Sequence, residues 1–469
     1  MNTTEPSTTR PSTHPAVTGA TARNALTLVG LAGLAFFSVL YLASPAGYFK
    51  LIALFFYFDQ PRDPPFQDLT AVMTSIECWQ KGYAAYWGTG TCGGFIYSPL
   101  WLRMGFMAKG ALPGGVAGLL LGALFFLSLR LLPTPRSRPG LALMLLATVS
   151  STCVFAVERG NLDVLLFVMC LAGAALLSGA WPRRAWAYAL FTAAGLLKFY
   201  PIVVMYALVR ERWAGLLAVL AVFAATVGAF LLLYGDELVT ALRGVGALNT
   251  HWGPFSDRFG AQQLAAGLWL LATSDVPPPT AFALLPGVST AMLAPPIWAV
   301  PALTLAALAV AIWLLRKTDF KARWQALSKP EADCLLVGAV VMAGCFFAGY
   351  NIMYRGIFLL LALPGLIALA SARSGVRVSF FLRLLPLAVV YNMWAPTTQH
   401  GIQYLAKVTG ALTGGRALIT ADWLLHEIAW WWTMAVCIAV MLHYAALSPA
   451  LQSVMTALRG KRPAPSNGS

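Results

Sequence analysis

The sequence predicts an all-α polytopic integral membrane protein, and three observations carry that reading. Hydrophobic residues make up 59% of the 469 and charged residues only 10%, where an ordinary soluble domain has about 25% charged. Mean hydropathy is +0.72. Apolar runs of about 20 residues recur along the chain, the length that crosses a bilayer as a helix. None alternates with the period of two that a barrel strand requires, and a lipid-exposed backbone must satisfy its own polar groups, so helices follow.

The runs lie at 25–46, 112–132, 140–157, 161–180, 213–234, 297–315, 333–350, 356–371, 379–396 and 424–446, about ten spans. Between 185 and 210 a further run is interrupted at "LKFYP" (197–201). A proline there breaks the helix, so the segment reads as a broken-helix hairpin of two short half-helices that does not cross. Residues 1–24 are rich in Thr, Ser and Pro and read as a disordered tail. The domain then runs over 25–446, with a C-terminal tail at 447–469. The first apolar run is too long for a cleaved signal peptide and reads as a retained helix.

Net charge is +15. The basic residues are scattered between apolar runs instead of clustered on a soluble face, which argues against nucleic acid. With the N-terminus inside, 20 of the 32 Lys and Arg fall in inside loops with five of the 17 acids, so the whole excess lies on one face. That bias places both termini in the cytoplasm. The hairpin is needed for it, because a full crossing would put "RER" (210–212) outside. Three outer segments are long, at about 47–111, 235–296 and 397–423. Within the first, "FIYSPLWLRMGF" (95–106) reads as a helix lying on the bilayer surface.

Ionisable groups near membrane depth are costly and mark function. Asp68 in "PPFQDLT" is either a general base at the outer face or an N-cap for the helix after it. "ERGNLD" (158–163) puts Glu158, Arg159, Asn161 and Asp163 in a turn that needs only its Gly and Asn. Lys198, flanked by Leu197 and Phe199 at the helix break, must find an anion or snorkel. The anion is a substrate, or Glu158 or Asp163. Arg355 in "YNIMYRGIF" (350–358) enters an apolar helix from its outer end, and a guanidinium suits phosphate. His251 in "LNTHWGPF" is a weaker candidate whose titration range suits proton transfer. Cys78 and Cys92 share the first outer loop, where an oxidising compartment permits a disulfide. No Cys/His spacing suggests zinc.

These stretches, "QDLT…WQKGYAAY…FIYSPL", "ERGNLDVLLF", "GLLKFYP…RERW" and "YNIMYRGIFLLLALP", resemble the family 87 glycosyltransferases (also catalogued as domain of unknown function 2029). These are membrane enzymes of the GT-C superfamily, typified by polyprenol-phosphate-mannose-dependent α-mannosyltransferases. The likeness covers about residues 60–370. It implies a GT-C-type helical bundle in the cell (inner) membrane, with its active site facing the periplasm or exterior. It implies Asp68, followed by Leu69, as the catalytic carboxylate of the first outer loop. The Tyr-rich helix usual after that Asp is absent here, since "TAVMTSI" (70–76) contains no Tyr. The resemblance also points to Gln262 and Gln263 in "FGAQQL" (259–264) as sugar contacts, and Tyr200 and Tyr354, inside the quoted stretches, are further site candidates.

Physical chemistry agrees with those roles. A polyprenyl-phosphate sugar leaves negative charge on its phosphate, which preorganised cations stabilise in a water-poor site. Lys198, Arg355 and Arg159 are the candidates. The acceptor hydroxyl must lose a proton, and Asp68 can take it. The expectation is a one-step, inverting transfer of a sugar, mannose first, to a lipid or glycan acceptor of the cell envelope. Membrane lipids and the polyprenyl-phosphate donor are the partners and co-substrate, and no further cofactor is required. No DxD pair is present, so no metal is demanded, and a divalent metal stays open. The alternative is a polytopic transporter or lipid flippase, because broken helices with buried charges serve those too. The two are told apart by where the charges sit, at an outer cavity or near the midplane.

Overall fold

A computed structural model describes residues 19–55, 64–86, 92, 94–249, 254–255, 258–273, 295–317, 319–349, 351–371, 380–408 and 412–460. These residues are overwhelmingly helical, and eight helices among them are long and apolar enough to cross a membrane. The chain is thus all-α and membrane-embedded, with several passes.

The N-terminal part comprises α1 (Gly19–Ala43), α2 (Pro45–Ile52), α3 (Gln67–Gln80), the single turn α4 (Pro99–Leu102) and α5 (Gly114–Ser128). Next come α6 (Arg138–Thr148), α7 (Ser151–Glu158), α8 (Asp163–Leu177) and α9 (Trp181–Lys198), then a 3₁₀ helix over Tyr200–Arg210 and α10 (Trp213–Asn249). A two-residue strand β1 (Arg258–Phe259) leads to α11 (Ala261–Thr273), α12 (Ala299–Lys317), α13 (Phe320–Gln325) and α14 (Lys329–Ala348). Strand β2 (Asn351–Ile352) pairs antiparallel with β1, Phe259 opposite Asn351. The chain ends with α15 (Leu359–Ser371), α16 (Phe380–Met393), α17 (Ala395–Val408), α18 (Leu412–Ala446) and α19 (Pro449–Gly460).

Many helix starts are written in the sequence. Ser44, Ser98 and Ser137 each accept a hydrogen bond from a first-turn N–H, with Pro at one of the first two helical positions. Ser328 forms a capping box with Glu331 ahead of Pro330. A serine hydroxyl satisfies an orphan donor while proline needs none, so the pair starts a helix cleanly.

α14 and α15 form the buried centre, whereas α1, α10 and α12 expose most of their apolar surface at the periphery. Among the described residues, eight of the ten expected runs form helices of spanning length. Run 161–180 becomes the 15-residue α8, whose first residues are used in a turn, and run 379–396 becomes the 14-residue α16. At about 1.5 Å per residue both fall short of a 30 Å hydrocarbon core.

The hairpin is present in a different form. Its first arm is not a half-helix but the full 18-residue α9, and its second is the 3₁₀ helix Tyr200–Arg210. The Arg184 guanidinium at the start of α9 meets the Glu211 carboxylate just past the second arm, at 2.8 Å. Both ends of the segment therefore lie on the same side.

Other loop expectations change too. The 95–106 stretch is no surface helix: Trp101 and Leu102 are buried, and the Trp101 indole donates to the Leu197 carbonyl at 3.0 Å. α10 continues to Asn249, fifteen residues beyond the expected outer boundary of that span, and Glu237 on this extension binds Arg103. Most of 397–423 is helical, in α17 and the start of α18, and the C-terminal tail contains α19.

Long-range ion pairs gather at two ends of the bundle. At one end Arg136 pairs with Glu331, Arg184 with Glu211, and Arg210 with Asp333. At the other lie Arg159 with Asp68, and Lys198 and Arg355 with Asp163. α8, α9 and the 3₁₀ arm each run from one group to the other.

Candidate functional site

The second group forms at helix ends. The turn between α7 and α8 needs Gly160 at φ +58°, where an added Cβ would sit 3.0 Å from the Cβ atoms of both Leu69 and Phe66. Only glycine permits that conformation and that close approach together. Asn161 closes the turn by accepting the Asp163 backbone N–H at 2.9 Å. The start of α3 docks on this turn: the Phe66 N–H donates to the Glu158 carbonyl at 2.7 Å and the Asp68 N–H to the Arg159 carbonyl at 3.0 Å.

Asp68 is therefore not the helix cap. Phe66 occupies that position, without a side-chain hydrogen bond, and Asp68 lies in the first helical turn. A carboxylate there is favoured by the helix dipole. Asp68 Oδ2 accepts from Asn161 Nδ2 at 2.6 Å, and Oδ1 lies 3.3 Å from Arg159 Nε. Its side chain keeps 20% exposure, against 9% for Arg159.

Asp163 is the hub. It is buried and meets Lys198 Nζ at 2.6 Å and Arg355 Nε at 3.3 Å, and it accepts from the Tyr200 hydroxyl at 2.9 Å. Lys198 also reaches Asn161 Oδ1 at 3.3 Å. Of the anions open to Lys198, Asp163 is thus the one that pairs with it. Tyr97 and Tyr354 present their rings to the Lys198 ammonium at 5.2 and 5.8 Å, and Tyr200 presents its ring to Arg355 at 5.0 Å. Arg355 further donates to Asn351. Among the described residues, three cations (Arg159, Lys198, Arg355) and two carboxylates (Asp68, Asp163) meet in this network.

Backbone strain marks the same place. Among the described residues two non-glycines have positive φ, Phe66 at 67° and Phe199 at 40°. One stands two residues before Asp68 and the other directly after Lys198. Such conformations cost about 1–3 kcal/mol each and cluster at functional sites.

A cavity of about 970 Å³ lies against the other face of α3. Gln67, Thr70, Thr74, Glu77 and Lys81, at helical spacing, line one wall. Phe37 and Tyr41 of α1, with Leu119 and Phe126 of α5, make the apolar remainder, and Lys109 stands at the polar part. Glu158 lines this cavity as well. Glu77 and Lys81 bond to each other one turn apart. Cys78 and Cys92 form a disulfide with Cα atoms 5.6 Å apart, closing the loop after α3.

Of the expected site residues, Asp68, Arg159, Asn161, Asp163, Lys198, Tyr200, Tyr354 and Arg355 come together. Gln262 is exposed and Gln263 is buried on α11, which follows β1, the strand paired with the β2 strand that carries Asn351. His251 lies outside the described residues. Tyr97 and Asn351 join the site although neither stood out in the sequence. Both sit inside quoted motifs, "YSPL" and "YNIMYRGIF", but an uncharged residue in an apolar loop gives no signal of its own.

The chain matches no protein-family model, no curated protein and no solved structure.

Proposed function

We propose that the protein is a membrane glycosyltransferase that moves a sugar from a polyprenyl-phosphate donor to a lipid or glycan acceptor at the outer face. The observation that carries this reading is the position of the charges. Asp68, Asp163, Lys198 and Arg355 all sit at or beside helix ends on one side of the bundle, joined in one network. A transporter site is expected near the midplane, inside its spans.

In this reading the side with Arg136, Arg184 and Arg210 is cytoplasmic, by the excess of basic residues. The Cys78–Cys92 disulfide then stands on the opposite, oxidising side. The cations of the network serve the donor phosphate, whose charge rises as the glycosidic bond breaks. Arg159, Lys198 and Arg355 supply that charge, with Asp163 holding two of them in place. Asp68, the more exposed carboxylate, takes the proton of the acceptor hydroxyl, oriented by Asn161 and Arg159. The attacking oxygen bonds to the anomeric carbon as the phosphate leaves from the opposite face, so the configuration inverts. The apolar cavity beside α3, continuous with the membrane-facing α1, suits a lipid chain.

The test uses protein in nanodiscs with radiolabelled polyprenyl-phosphate mannose and a membrane lipid extract. Wild type transfers label, and Asp68→Asn loses at least about a hundredfold in rate while melting like wild type. Full activity in Asp68→Asn removes the proposed base. No transfer or hydrolysis of any prenyl-phosphate sugar by wild type removes the enzyme reading.

A further inference from the structure

The basic end of the bundle carries a second cavity, of about 630 Å³, away from the Asp68 network. Trp181 and Arg184 of α9 form one wall, and Arg210 to Arg212 form another. Ala214, Gly215 and Ala218 of α10 make the third, and Pro449 of α19 closes it. Arg184 is held by Glu211 at 2.8 Å and Arg210 by Asp333 at 2.7 Å, while Arg212 is exposed at the rim. Three guanidinium groups against two carboxylates leave one positive charge. Guanidinium forks match phosphate oxygens.

The surroundings are amphiphilic. α10 is among the least buried of the long helices, and next to the cavity it exposes Leu217 and Leu220. Trp181 and Trp213 are both partly exposed at the cavity level, the depth at which tryptophan anchors at a membrane interface. α19 exposes Leu451, Val454, Met455 and Leu458, a stripe at helical spacing. A helix with one such stripe lies in the headgroup plane.

We infer that this cavity holds the headgroup phosphate of an anionic phospholipid, with its acyl chains along α10 and with α19 lying in the membrane surface beside it. The inference stands apart from the glycosyltransferase reading. A free anion would use the arginines but would leave the α10 wall and the α19 stripe uncovered. A lipid covers all three.

The test is retention of lipid by full-length protein in detergent, titrated with phosphatidylglycerol or with phosphatidylcholine of the same acyl chains and read by native mass spectrometry. Wild type retains phosphatidylglycerol preferentially. Arg212→Gln weakens that retention about fivefold, the effect of one surface cation on an anionic lipid, and leaves phosphatidylcholine unchanged. Arg130→Gln, an exposed cation elsewhere, changes neither. Equal retention of the two lipids by wild type, or wild-type retention by Arg212→Gln, overturns the inference. So does displacement of phosphatidylglycerol by an equal concentration of inorganic phosphate, which would make the cavity a free-anion site.

Discussion

The Lys198 ammonium lies 2.6 Å from the Asp163 carboxylate, joining the C-terminal end of α9 to the first residue of α8. Asp163 is fully buried and also holds Arg355. Removing the carboxylate strands two cations away from bulk water. Asp163→Asn is expected to cost about 3–5 kcal/mol, the usual penalty for breaking a buried pair from one side. Adding Lys198→Met should recover part of that loss, because one stranded charge is gone. Thermal melts of wild type, both single variants and the double variant measure it. A double variant no more stable than Asp163→Asn would mean that the two residues do not act as a pair.

Gly160 governs where α3 sits. Its φ of +58° and its 3.0 Å approach to Leu69 and Phe66 both disfavour a side chain. Gly160→Ala is expected to destabilise by about 1–3 kcal/mol. It should also lower transfer by displacing Asp68 from Asn161. A variant with wild-type melting and wild-type rate would show that the turn does not position α3.

The α9 hairpin makes a topological prediction. Arg183→Cys and Arg212→Cys should both react with a membrane-impermeant maleimide from one side, and Lys109→Cys from the other. Native cysteines do not interfere, since those at 153, 170, 334, 345 and 437 are buried and Cys78 and Cys92 are bonded. Opposite-side labelling of positions 183 and 212 would mean that the 181–210 segment does not double back to the side it starts from.

The disulfide closes a loop with a sequence separation of 14. Loop-closure entropy puts its contribution at about 3 kcal/mol. Cys78→Ser should lower the melting temperature, and reduction of wild type should give the same shift. Free thiols at both positions in protein taken from intact cells would remove the bond from the account.

Much of the site was legible because charge is conspicuous in an apolar chain. Asp68, Arg159, Asp163, Lys198 and Arg355 stood out one by one, since an ionised group near lipid must have a reason. Tyr97 and Asn351 did not, because their place beside Lys198 and Arg355 depends on contacts between distant segments. The two readings of Asp68 illustrate the boundary. An Asp just before a helical run is a good cap by propensity. Here the chain turns at Phe66 instead, because the ERGN turn accepts the Phe66 and Asp68 N–H groups.

By itself the sequence determined that this chain is helical, that it is built for a membrane, and that its basic residues favour one set of loops. Those properties follow from composition and local order, which the bilayer and the backbone read directly. Tertiary structure decided the partners. Lys198 had both Glu158 and Asp163 within plausible reach along the chain, and α8 and α9 had to pack side by side before Asp163 met it. Glu158 lines the cavity beside α3. A charge announces its cost locally, but what neutralises it is set by which helix ends the fold brings together.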